Sequence, residues 1–132
     1  MEATTSAQDM SDHTDVVSDL NCLGVVYGAE MPVYAGSGWT AVRDEVIREP
    51  TGDNDHWVEQ VAVLYPSGDK AKDFLQTSHD LRHDCAKSSV AVDSSDHTST
   101  SIWDFQDVKK SGDSIITQES SQQDSNGWAC SR

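Results

Sequence analysis

Apolar residues come in short bursts along this chain, and their spacing changes character twice. Residues 1–16 carry almost no apolar pattern, which predicts a flexible acidic lead-in to one domain over residues 17–132. Next, VVSDLNCLGVVYGAE gathers Leu20, Cys22, Leu23, Val25 and Val26, predicting a short helix capped by Ser18. Pro32 and the Gly36-Ser37-Gly38 turn reduce MPVYAGSGW to a loop or a single helical turn. In TAVRDEVIRE, Val42 and Val46 share one face of a predicted strand. PTGDNDH is a turn signal, and WVEQVAVLYP reads as the best strand of the chain. Its second half is apolar on both faces, as a central strand would be, and the two strands form a hairpin.

The best helix is SGDKAKDFLQTSHDLRHDCA. Ser67 is placed to cap it, and Asp69 complements the positive end of its dipole. Ala71, Phe74, Leu75, Ser78, Arg82 and Cys85 recur at helical spacing, so Cys85 faces inward on the last turn. After it the period shortens. SVAV, TSIWDFQDV, SIITQES and GWACSR read as strands between polar links, with Trp103 beside Phe105 on one face and Trp128 beside Cys130 on another. Helix, two strands, helix and a strand meander make an α+β fold with a mostly antiparallel sheet.

Composition narrows the function. A chain of 132 residues suits one domain, and four Trp, three Tyr and two Phe argue against wholesale disorder. The net charge of −14, from 23 acidic and nine basic residues, repels phosphate backbones and anionic lipid, arguing against nucleic-acid partners and peripheral membrane binding. No apolar run approaches the ~20 residues that span a bilayer, and residues 1–15 lack the basic start and apolar run of a signal peptide.

The chemical motifs are weak. His79 and His83 lie four apart on the helix and reach far enough to share a metal ion, with Asp80 and Asp84 nearby. No HExxH and no third His or Cys accompanies them, so exposed polar positions explain them better. AGSGW lacks both GxGxxG and the P-loop Lys and reads as a tight turn. No Ser nucleophile elbow occurs, and 23 carboxylates make chance pairs unavoidable. No catalytic residue, cofactor or metal site is nominated, and the expectation is a protein without enzymatic activity.

The three cysteines carry more information. Cys22 and Cys85 both sit in apolar surroundings, and a bridge between them would close a loop worth about 4 kcal/mol on chain-entropy grounds. Two distant buried thiols in a reducing compartment fit the same residues. Cys130, two positions before Arg132, is left over.

Taken in order, NCLGVV, VYAGSGWTAVR, VEQVAVLYPSGDKAKDFL, HDCA and NGWACSR resemble the PknH-like extracellular sensor domain. That family occurs on a mycobacterial serine/threonine kinase and on related exported proteins and lipoproteins. The likeness runs from about Cys22 to Arg132 and is most specific in VYAGSGW and GWACSR. It implies an extracytoplasmic signalling domain without catalysis, its sheet and helices forming a groove for an unknown small molecule or envelope ligand. It also implies a Cys22–Cys85 disulfide.

Three departures stand out. The family's first helical segment has no counterpart here. Nor does its last strand, which ends in a cysteine that would partner Cys130. Arg82 stands where the family commonly has Trp. Homodimerisation through an open sheet edge or through Cys130 would compensate. Tyr34, Trp39, Trp57, Trp103 and Trp128 are the aromatic residues expected to line the groove, with Tyr34 and Trp39 the most exposed of them. The competing expectation is a protein–protein assembly module that uses the acidic surface and the open edge.

Overall fold

A computed structural model describes residues 2–50 and 56–132, with side chains from Gln8 onward. The expected turn PTGDNDH lies largely outside the described residues. The hairpin it would join is present: β2 (Ala41–Arg48) pairs antiparallel with β3 (Trp57–Leu64), in a register running from Ala41 opposite Leu64 to Arg48 opposite Trp57.

Two differences from expectation fall in this first sheet. β1 (Glu2–Ala7) pairs antiparallel with β2, so the start of the chain is a strand and not a flexible lead-in. EATTSA is held by main-chain ladder bonds, which leave no apolar alternation to read. The sheet order is therefore β1-β2-β3, which makes β3 an edge strand and β2 the central one. Along β3, Glu59, Val61 and Val63 turn inward, while Val58 and Leu64 stay 41% and 62% exposed. Its second apolar face meets solvent and not a second layer.

Residues 8–19 cross to the main core. Ser11 bridges Glu30, and Val17 bridges Val92 on the far sheet. Val16 and Val17 are each 5% exposed, so the domain's core begins before the expected boundary at residue 17. Ser18 does not cap the first helix, because its hydroxyl accepts from the Ala91 N–H at 2.9 Å. Asp19 caps instead, accepting from the Asn21 N–H at the head of a 3₁₀ turn, Leu20–Cys22, that runs into α1 (Leu23–Val26). α2 (Met31–Tyr34) is a single turn ended by a tight bend. Gly36 and Gly38 take φ of 76° and 88°, a conformation that favours glycine, and space beside both is open. The AGSGW stretch is thus a turn.

α3 (Gly68–Cys85) begins as expected, with the Ser67 hydroxyl accepting from the Lys70 N–H at 3.3 Å. Of the predicted inward stripe only Ala71 is exposed, while Arg82 and Cys85 are buried. The second sheet comprises β4 (Val90–Asp93), β5 (Thr100–Phe105), β6 (Lys109–Ser111), β7 (Ile115–Gln122) and β8 (Trp128–Ser131), paired in the order β4-β5-β7-β6 with β8 also on β7. β6 has no apolar signature and was not expected. The helices and antiparallel sheets make the fold α+β, with two sheets where one was anticipated.

The core fills the space between the first helical turns, the end of α3 and the second sheet. Val16, Val17, Cys22, Leu23, Cys85, Val90 and Phe105 form it, with Trp103 packed against it. Burying Leu23 at 1% exposure contributes about 2 kcal/mol. The Cys22–Cys85 disulfide, with Cα atoms 4.9 Å apart, lies inside this cluster.

Candidate functional site

The helical period of α3 sets one face toward the Tyr34 turn and toward β7. Phe74 on that face stacks on Tyr34 with ring centroids 4.3 Å apart, and Tyr65 stacks on Phe74 at 6.0 Å. The Ser37 and Tyr65 hydroxyls are 3.1 Å apart and tie the glycine turn to this cluster. Two cavities lie against α3, with Phe74 in the lining of both. On one side a cavity of about 240 Å³ lies between the 33–37 turn and Lys70, Asp73 and Thr77.

On the other side a cavity of about 270 Å³ is walled by Tyr34, Phe74, Leu75, Ile115 and Ile116, with Ser78, Ser114, Arg82 and Arg132 as its polar lining. No carboxylate side chain lines it, although the chain carries 23 acidic residues. Arg82 is 8% exposed, and its Nε and Nη1 atoms have no hydrogen-bond partner among the described residues. Burial holds its pKa below the ordinary arginine value, opposed by nearby Tyr34 and Cys130. Burial also raises the Tyr34 phenol, which stays neutral at physiological pH. The Arg82 carbonyl is satisfied, accepting from Gln118 Nε2 at 3.0 Å. The same amide donates at 2.8 Å to the Gln106 carbonyl, so the backbone under the guanidinium is tied down while Nε and Nη1 above it are left unpaired among the described residues.

Of the five aromatic residues expected to line a groove, Tyr34 alone borders either cavity. Trp39 and Tyr34 are half-buried, whereas the most exposed are Trp57 at 52% and Trp128 at 73%. Arg48 lies over the Trp57 ring, 6.0 Å from its centroid. Trp103 packs on the core and donates from Nε1 to the Ser101 hydroxyl at 3.0 Å. Sheet-facing aromatic character alone did not separate these roles. Arg82 was legible as an inward position on the α3 stripe. Its significance comes from a charge on that stripe, which spacing rules treat as a neutral fact.

His79 and His83 do not converge. The His79 ring lies 3.2 Å from Asp80, and the His83 ring 2.9 Å from Asp107. Among the described residues no group of three or more His, Cys, Asp or Glu side chains is placed to hold a metal ion. Cys130 is an exposed free thiol. No helix among the described residues is long and apolar enough to cross a membrane.

Comparison with known proteins gives these features a class. The family model described as PknH-like extracellular domain matches residues 1–132. Over 116 residues the chain is 40% identical to serine/threonine-protein kinase PknH of Mycobacterium bovis, covering 88% of this chain and 19% of that protein. The same protein of Mycobacterium tuberculosis is 40% identical over 116 residues, covering 88% of this chain and 18% of the kinase. The crystal structure of the extracellular domain of PknH from Mycobacterium tuberculosis superposes with a TM-score of 0.85 at 34% identity. That likeness covers 98% of this chain and 66% of the solved one. The chain therefore spans about a fifth of the curated kinases it matches.

Fold, disulfide and likeness together define an extracellular, sensor-type α+β domain. The chain belongs to the PknH-like extracellular domain family.

Proposed function

We propose that this chain is a non-catalytic sensor module that takes a small envelope-side molecule into the groove along α3. The supporting observation is the roughly 270 Å³ cavity with a buried, unanswered guanidinium in its lining. Small-molecule sites combine apolar walls with a few convergent polar groups, and this cavity has that composition at slightly below the usual size range. A buried polar head without a partner costs stability, and such a cost is commonly retained at functional positions. In a kinase of the kind the relatives are, occupancy here would be relayed to the catalytic domain.

Thermal-shift screening of a small-molecule collection tests the reading, because a molecule that binds only the folded form raises Tm. Compounds that stabilise the wild type should lose most of that effect in Phe74→Ala, which removes the wall shared by both cavities. If every stabilising compound acts equally on Phe74→Ala, the groove is not the site.

A second reading is an assembly module. Trp128 and Cys130 share the exposed face of β8, which pairs only with β7 among the described residues. An open edge of this kind suits pairing with another chain, a second copy included. Light scattering after size exclusion, under oxidising and reducing conditions, tests it. A strict monomer in both would remove it.

A further inference from the structure

We infer that the α3 cavity selects an amphipathic organic anion, a carboxylate carried on a short apolar body, with Arg82 as its charge partner; this rests on the groove reading above. Arg82 is more than nine-tenths buried, and its Nε and Nη1 atoms have no partner among the described residues. Burial lowers its pKa, opposed by the Tyr34 phenol and the Cys130 thiol, and no Asp or Glu side chain lines the cavity beside it. A buried cation without a counter-anion is strongly unfavourable, and a bound carboxylate would relieve that cost through charge-assisted hydrogen bonds.

The surroundings favour an anion over a cation or a neutral ligand. Two of the chain's nine Lys and Arg residues, Arg82 and Arg132, meet at one cavity that no Asp or Glu lines. Ser78 and Ser114 add hydroxyl donors. The opposite wall, from Phe74 to Ile116, is apolar and holds a hydrocarbon or aromatic body but gives nothing to a bare inorganic ion. The neighbouring cavity, lined by both Lys70 and Asp73, has no such imbalance.

Isothermal titration of the oxidised protein with hexanoate, hexanol and inorganic phosphate tests the assignment. Hexanoate should bind one site at least about tenfold more tightly than either hexanol or phosphate. Arg82→Met should bring hexanoate down to the hexanol level without lowering Tm, since it removes a buried unpaired charge. Arg132→Gln, at an exposed rim position, should weaken hexanoate several-fold in a protein certain to retain its core contacts. Hexanol or phosphate binding as tightly as hexanoate would overturn the assignment, as would hexanoate affinity that survives both substitutions. Absence of hexanoate binding also overturns it, whereas the groove reading falls only if neutral molecules leave the cavity empty too.

Discussion

Cys22 and Cys85 join the chain's first helical turn to the last turn of α3, both fully buried and with Cα atoms 4.9 Å apart. The tie spans 63 positions of sequence and encloses β2 and β3 of the first sheet together with almost all of α3. Cross-linking a loop of that length restricts the unfolded chain by about 4 kcal/mol. The double variant Cys22→Ser/Cys85→Ser should lose stability of that order in urea denaturation. A loss below about 1 kcal/mol would mean that packing around Leu23 and Val90 holds the two ends together unaided.

Cys130 behaves differently, being exposed and free. Maleimide treatment of the native, oxidised protein should add one label, at Cys130, and Cys130→Ser should add none. Labelling at Cys22 or Cys85 without denaturant would contradict the buried bridge.

Glu30 is fully buried, and its carboxylate meets His13 twice. It accepts from the His13 backbone N–H at 2.6 Å and faces His13 Nδ1 at 2.8 Å. His13 also stacks on Tyr27 with centroids 4.0 Å apart. The imidazole is 38% exposed, so solvent weakens its side-chain contact with the carboxylate. His13→Ala keeps the backbone bond and should cost about 1–2 kcal/mol through the lost side-chain contact and ring stack. An unchanged midpoint of denaturation would show that the carboxylate needs only the backbone.

Glu59 carries a pH signature. Burial first, and then the neighbouring Asp44, hold its carboxyl above the usual 4.5, opposed by the Gly28 N–H, which donates at 3.2 Å. The folded chain thus holds this proton more tightly than the unfolded chain. Its favourable contribution is complete below about pH 4.5 and is lost as pH rises through the raised native value. Glu59→Gln should flatten that decline and raise Tm at pH 7 by roughly 2–5 °C. A lower Tm at pH 7 would show that the Gly28 contact depends on the charge.

Local signals were legible where side chains carry them. The α3 stripe, the Ser67 cap and the β2–β3 pairing follow from apolar period and cap chemistry, and the expected later strands match the observed ones within three residues. Elements held by main-chain bonds were not legible. EATTSA and KKS form β1 and β6 without an apolar face to announce them. The central-strand reading of β3 failed because an edge strand with an exposed Val58 and Leu64 has the same composition as a buried one. Trp128 and Trp103 look alike in the sequence, yet one is 73% exposed on β8 and the other packs on the core. The site suffers most from this limit, because Arg82 gains its meaning only when β7 and Arg132 are brought opposite it.

Backbone amide shift mapping tests the central claim, a ligand groove along α3, most directly. Titrating hexanoate into ¹⁵N-labelled protein should move a contiguous set of amides that includes Tyr34, Phe74, Ser78, Arg82, Ile115 and Ile116. Trp57 and Trp128 should stay in place. Shifts centred on those two exposed tryptophans, or scattered without focus on α3, would contradict the account.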